Sequence, residues 1–389
     1  MKIAFYMTTI LEHGGGIENY LIEVARNLSA SNNIEIDIIT MDNKFTLKII
    51  SMLSLFYCRK IDKNLVFKES LEKIKQRLGK ARYYKCNSFK ELEIKLNEYE
   101  VIYSKGELLE AFVFKFIIRY RRLPPIIFCC GTPIYYQITK SIQSKLHNIF
   151  YNSFVYKFLA SGVKIFHVKN SIDEVKLIKL FPTKKIYKIY NPHDVDRYIQ
   201  TAEKHEFNFN WDRDKYNVFW AGRLVEQKGV DELIKIIDEI NRMEYKDKIV
   251  WNVAGDGIEK LKILALCNRW DNVNYFGHVA NNYMPSIYKN NNLFISTSKW
   301  EGCPNNIQEA QAMNLPVISY DISGCNDIIR NNENGILVED INSFVAEIKN
   351  FVNRKYLFQN ISKKYEELFK PEIIYKNLVS MFKEYERKD

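Results

Sequence analysis

Short apolar runs alternate along this chain with longer stretches in which apolar residues return every third or fourth place. In the first half the runs are 2–8, 34–40, 101–104, 125–130, 163–168 and 186–190. In the second they are 217–221, 249–254, 273–276, 293–298, 316–320 and 335–338. Runs of this kind, bounded by glycine, proline or asparagine, predict buried strands, and the stretches between them predict helices. Strand and helix in alternation predict parallel sheets covered by helices. A polar segment, 191–214, separates the two series. The expectation is an α/β chain with two Rossmann-like, doubly wound domains, 1–195 and 196–370, followed by a terminal helix within 371–389.

The stretch Leu293–Asp321 carries the most chemistry. Its two apolar runs are too close together for anything but a strand–helix–strand unit. Pro304 fits a first helical turn, where its missing N–H costs nothing, and Asn305 or Asn306 is placed to cap. Glu301 then lies in the loop and Glu309 inside the helix. On a helical wheel Ile307, Ala310 and Met313 share a buried stripe, and Glu309 falls roughly 100° from its centre, at a rim. A carboxylate there can accept hydrogen bonds from both hydroxyls of a vicinal diol, as acids do with ribose in doubly wound folds. The first-turn amides near Pro304 to Ile307 form an anion site beside it. The pattern suits a nucleotide-linked ligand.

Three glycine turns follow strands elsewhere. Gly14, Gly15 and Gly16 stand between the first run and a helical pattern over 17–28, where small residues let backbone approach a phosphate or sugar. The spacing is not G-x-G-x-x-G, so a dinucleotide site is not expected. Ala221–Ile234, AGRLVEQKGVDELI, places Arg223 just past a strand and Lys228 just before a helix, both able to converge on the carboxyl edge of a sheet. Gly255, within Ala254-Gly255-Asp256-Gly257, makes the third turn. Asp194 with Asp196, and Asp212 with Asp214, have D-x-D spacing for a divalent metal, but they sit in polar linker sequence without a flanking strand and helix. His13, before the glycine turn, is either a cleft or a surface residue.

The string EGCPNNIQEAQAMNLPVI, with seven residues between Glu301 and Glu309, resembles the E-x7-E signature of retaining GT-B glycosyltransferases. Family 4, the glycosyl transferases group 1, has a usual form close to EGFPxxxxEAMAxGxPVI. Cys303 replaces the usual aromatic and Asn314 the usual glycine. Ala221–Ile234 resembles the GRL-x-x-x-KG segment of the same family, and Tyr190–Asp196 its domain-crossing N-G-V-D segment. The resemblance implies two Rossmann-like domains facing a central cleft, with the terminal helix joining the first. It implies that Glu301 lies by the donor sugar, that Glu309 binds the ribose, and that Arg223 and Lys228 hold the diphosphate and stabilise its departure. Gly15, Gly16, Gly255, Cys303, Pro304, Asn305 and Asn306 are expected around the donor. Gly14, Cys130 and Thr132 are expected on the acceptor or sugar side, Cys130 standing where the family commonly has a histidine, with Thr132 or Tyr135 as substitutes for that contact. The activity implied is transfer of a hexose or related sugar from a UDP- or GDP-sugar to an acceptor hydroxyl, with retention and without a required cofactor or metal. Acceptors of surface polysaccharide, lipopolysaccharide or glycolipid assembly fit, saccharide or lipid-linked. A nucleotide-sugar epimerase and a binding or sensor protein with little turnover stay open as alternatives.

Composition narrows the setting. With 57 Lys and Arg against 47 Asp and Glu, the net charge of +10 is dispersed, a weak sign for nucleic acid, which is not expected as a partner. The seven cysteines show no C-x-x-C spacing, which favours a reducing, cytoplasmic setting over disulfides or zinc. No signal peptide is expected, and no apolar run reaches the roughly 20 residues of a membrane span. Two basic, aromatic stretches, Phe45–Cys58 and Ala111–Leu123, are either core helices or contacts with an anionic membrane face.

Overall fold

The computed structural model describes residues 1–13, 16–30, 34–42, 44, 70–137, 142–356 and 358–384. It falls into two units, Met1–Ile189 with Glu372–Asp389, and Tyr190–Pro371. Each is a parallel sheet with helices packed on it, as the alternating pattern predicts.

The first unit contains β1 (Lys2–Met7), β2 (Glu35–Met41), β3 (Arg82–Cys86), β4 (Val101–Lys105), β5 (Ile126–Cys130), β6 (Ile165–Val168) and β7 (Lys185–Lys188). They lie in the order β3-β2-β1-β4-β5-β6-β7, all pairs parallel. The central strands are apolar on both faces because helices cover both, and β1, β4 and β5 are almost wholly buried. Strand β3, RYYKC, is polar and aromatic, so it lacks the apolar run that marks the others; it is an edge strand. A forked contact secures it: Arg82 Nε and Nη2 donate to Asp37 at 3.0 and 2.8 Å, and Tyr99 adds a hydroxyl at 2.6 Å. Burial would raise the Asp37 pKa, but these donors outweigh it and hold the carboxyl below its ordinary range. The helix Pro371–Lys383 packs within this unit, Phe382 lying 6.1 Å from the Phe5 ring and 5.2 Å from Tyr103, while Glu384 pairs with Lys185 and Tyr187.

The second unit contains β8 (Tyr216–Ala221), β9 (Ile249–Ala254), β10 (Val273–Gly277), β11 (Leu293–Ser296), β12 (Val317–Tyr320) and β13 (Gly335–Val338). Their order is β10-β9-β8-β11-β12-β13, again parallel. This unit begins at Tyr190, earlier in the chain than residue 196. The physical reason is local: the Tyr190 ring packs on Phe369 at 5.1 Å, its hydroxyl reaches Asp327 at 3.1 Å, and His193 N donates to Phe369 O at 3.0 Å.

Of the two basic, aromatic stretches, Phe45–Cys58 lies outside the described residues. Ala111–Leu123 is largely core: Ala111, Val113, Phe114 and Ile118 are buried, and Phe116 is the exposed apolar residue. Among the described residues, no helix is long and apolar enough to cross a membrane.

Candidate active site

In each sheet the order of strands reverses at one point, where the loops leaving two neighbouring strands part and leave room for a ligand. In the second unit that point lies between β8 and β11. The loop after β8 carries Arg223 and Lys228, and the loop after β11 carries Glu301. Two glycines let the loops after β8, β9 and β11 close on one another. Gly229 has φ +66°, and a Cβ there would lie 1.9 Å from Thr297 O; Gly255 has φ +140°, and a Cβ there would lie 1.8 Å from Gly222 O. Lys228 is thereby pressed against the β11 loop. Its ammonium donates to Glu301 Oε1 at 2.5 Å, and Ser298 Oγ donates to the same oxygen at 2.7 Å. Both side chains are mostly enclosed, 14% exposed for Lys228 and 7% for Glu301. Gln227 ties the loops further, donating to Trp300 O at 3.1 Å and accepting at its carbonyl from Lys299 N at 2.8 Å. Arg223 is exposed, its guanidinium touching Gln227 Oε1 at 3.0 Å.

The helix of the E-x7-E stretch runs Asn305–Ala312, so Pro304 is its cap rather than a member of its first turn, with φ −73° and ψ 108°. Neither asparagine caps it from outside. Asn306 instead donates to Ala221 O at 2.9 Å, joining the helix start to the end of β8, and accepts from Ile307 N at 3.0 Å. The Ile307 amide is therefore occupied, which narrows the expected anion site to Asn305 and Asn306, whose N–H groups have no intrahelical acceptor. Asn305 Oδ1 accepts from Asn191 at 3.0 Å, and Gln308 Nε2 lies 3.5 Å from Cys303 Sγ. Asn314, where the resembling family has glycine, has φ +58° and accepts from Ser362 N at 3.0 Å. Asparagine is the side chain that best tolerates that left-handed backbone, so the departure is conformationally neutral.

Glu309 is only partly exposed, and its carboxylate accepts from the buried Tyr288 hydroxyl at 3.0 Å. Tyr198, on the helix Val195–Lys204, faces the same carboxyl with a buried hydroxyl that has no hydrogen bond of ordinary geometry. Desolvation pushes the Glu309 pKa up to about 7, against the opposing pull of Tyr288, Tyr198 and the Lys228 charge. The acid expected at an open rim is thus held in a tyrosine pocket and titrates near neutrality.

In the first unit the corresponding point lies between β1 and β4. Gly14 and Gly15 lie outside the described residues. Gly16 opens the helix Gly16–Ala30 and has open space where a Cβ would stand. Cys130 departs from its expected place on the sugar side. It is 1% exposed and belongs to the apolar core, and burial raises its thiol pKa, so its sulfur packs inward. Thr132 does reach a charged group, donating to Glu107 Oε1 at 3.0 Å, and Lys105 pairs with the same carboxylate at 3.1 Å. Glu110 is buried beside them and accepts from Thr8 N at 3.0 Å; desolvation raises its pKa although Lys105 pulls the other way. In the sequence Lys105, Glu107 and Glu110 are marked only by a charged pair flanking Gly106 at the end of a strand. Ser298, Tyr288 and Tyr198 carry no motif in the sequence.

The D-x-D pairs are used locally. Asp194 caps a helix by accepting from Arg197 N at 2.9 Å, and Asp212 accepts from Asp214 N at 3.1 Å. Among the described residues, no group of three or more His, Cys, Asp or Glu could hold a metal.

Residues 201–367 match the family model described as glycosyl transferases group 1. The match is confined to this part of the chain. The matched region includes Arg223, Lys228 and Glu301. Among curated relatives, the chain is 31% identical over 180 residues to the capsular polysaccharide biosynthesis glycosyltransferase CapM of Staphylococcus aureus, covering 43% of this chain and 46% of that one. It is 38% identical over 78 residues to the UDP-Gal:α-D-GlcNAc-diphosphoundecaprenol α-1,3-galactosyltransferase of Escherichia coli, covering 20% of each. The matches thus span less than half of these relatives' own length. Over the whole length of the chain the likeness to solved structures is one of fold. The crystal structure of Anabaena HepE in complex with UDP matches over 99% of this chain and 100% of its own, with a TM-score of 0.67 and 15% identity.

Proposed function

We propose that this protein is a glycosyltransferase that moves a hexose or related sugar from a nucleotide diphosphate sugar to an acceptor hydroxyl in the assembly of a surface polysaccharide, lipopolysaccharide or glycolipid. The observation that carries the reading is the Lys228–Glu301 pair at the switch point of the second sheet, with the exposed Arg223 on the same loop as Lys228. The difficult step is departure of the diphosphate while the anomeric carbon gains positive charge. Arg223 offers a planar fork to phosphate oxygens and Lys228 a point charge, the latter held in place before the reaction starts. Glu301 orients the sugar hydroxyls and opposes the cationic carbon, and Glu309 accepts from the ribose. Gly255, Cys303, Pro304, Asn305 and Asn306 border the donor. The first unit holds the acceptor, with Thr132 and its partner Glu107 on that side. Retention follows from the resemblance to family 4, and the donor pocket works without a metal because Arg223 and Lys228 supply the positive charge.

UDP-sugars are the first donors to test. The E. coli relative is named for UDP-Gal and a diphosphoundecaprenol-linked acceptor, and the HepE structure holds UDP. The test is transfer from a panel of UDP- and GDP-sugars to diphosphoundecaprenol-linked saccharides, read by mass spectrometry, with the anomeric configuration of the product read by NMR. A new glycosidic bond of retained configuration, formed in excess chelator, supports the reading. An isomerised nucleotide sugar, or no product with any donor that binds, contradicts it.

A further inference from the structure

From Ala111 to Ile172 the chain contains nine lysines and arginines and not one aspartate or glutamate. Two of its strands, β5 and β6, and Lys169 are buried, while its helices lie on the outside of the first unit. Helix Phe154–Leu159 packs against both Leu108–Phe112 and Ile142–Tyr151, so three short elements share a surface. That surface is apolar where it should be polar. Phe154 is 77% exposed, Ile149 66% and Phe116 52%, with Phe158, Val155 and Leu146 also in the open. The rings are neighbours: Phe112–Phe116 at 5.2 Å, Phe116–Phe158 at 6.1 Å and Phe154–Phe158 at 6.3 Å. Lys115 lies over Phe158 at 4.1 Å and donates to Ser161 at 2.9 Å, so its stem runs along the aromatic row while its charge stays at the edge. Lys145 and Lys157 are exposed on two of these helices, and Arg119 and Arg121 are exposed in the segment that follows Phe116.

We propose that this face docks on an anionic lipid bilayer, with Phe116, Phe154 and Ile149 entering the headgroup region and the surrounding cations meeting lipid phosphates. Contiguous exposed apolar surface of this kind marks a contact site. Aromatic groups ringed by lysine and arginine suit the boundary between headgroups and acyl chains, where one end of each contact is apolar and the other charged. A second copy of the chain is a poor occupant, because a two-fold contact would set this positive field against itself. The inference is independent of residues 201–367, and it places the membrane contact on residues 142–158 as much as on Ala111–Leu123.

The test is co-sedimentation of the full chain with vesicles of phosphatidylglycerol and phosphatidylcholine, against vesicles of phosphatidylcholine alone. Binding at least tenfold tighter to the anionic vesicles, and lost in 0.5 M salt, is expected. Phe154→Ser with Phe158→Ser, and separately Ile149→Ser on the neighbouring helix, each weaken that binding at least tenfold while the melting temperature and UDP affinity stay as in the wild type. Equal binding to both vesicle types, or unchanged binding by every folded variant, overturns the proposal. So does a concentration-dependent dimer that the same variants abolish while wild-type protein ignores vesicles.

Discussion

Lys228 and Glu301 are 73 residues apart in sequence, yet the Lys228 ammonium sits 2.5 Å from the Glu301 carboxylate, with Ser298 on the same oxygen. The cation proposed to meet the departing diphosphate is therefore neutralised by the acid proposed to face the sugar. A donor has to share Lys228 with Glu301, which couples the two ends of the bond to be broken.

This coupling separates binding from turnover. Glu301→Gln removes the competing charge but keeps the shape, so UDP is expected to bind about three- to tenfold tighter, ~1 kcal/mol, while transfer falls at least a hundredfold. Calorimetry and initial rates on one preparation check this. Weaker UDP binding in Glu301→Gln would show that the pair is a structural brace and not a shared ligand site.

Glu309 makes stability depend on pH in an unusual direction for an acid. Its pKa is raised from 4.5 to about 7, so the folded chain binds the proton more tightly than the unfolded chain. The favourable contribution is complete below about pH 4.5 and is lost as pH rises through about 7. Glu309→Gln, which cannot ionise, is expected to stabilise the protein at pH 8 by on the order of 2 kcal/mol relative to the wild type and to make little difference at pH 5. Thermal unfolding at both pH values decides it; equal shifts at pH 5 and pH 8 would contradict the raised pKa.

The backbone that presents Lys228 depends on Gly229. A Cβ at φ +66° and 1.9 Å from Thr297 O forces the loop away from β11. Gly229→Ala is expected to cost about 2–4 kcal/mol and to weaken UDP binding. At Asn314, with φ +58°, Asn314→Ala is expected to cost about 1 kcal/mol, whereas Asn314→Gly is close to neutral. Chemical denaturation of the three variants ranks them.

Cys130 belongs to the core in this structure. Cys130→Ala is expected to lower stability by about 1–2 kcal/mol through the cavity it leaves, with the Kd for UDP and the KM for acceptor unchanged. A selective rise in the acceptor KM would return Cys130 to the site.

The sheets were legible because buried parallel strands are near-continuous apolar runs: Ile249–Ala254 and Gly335–Val338 stand at the positions the pattern predicts. Strand β3 was not, since RYYKC owes its place to Arg82 and Tyr99 bonding to Asp37, contacts distant in sequence. Within the candidate site, Arg223, Lys228, Glu301 and Glu309 were legible as motifs because each lies at a fixed offset from a strand end. What the motifs do not carry is which partner each charge finds. The Lys228–Glu301 pair, the tyrosines around Glu309 and the inward thiol of Cys130 arise from packing between segments tens of residues apart.

The most direct test of the account is calorimetric titration of UDP, in excess EDTA, into the wild type, Arg223→Ala and Glu309→Ala. The account predicts binding without metal, weakened at least tenfold, about 1.4 kcal/mol, by each substitution, with both variants still folded. Binding that requires Mg²⁺ or Mn²⁺, or that ignores both substitutions, would contradict it and place the diphosphate elsewhere.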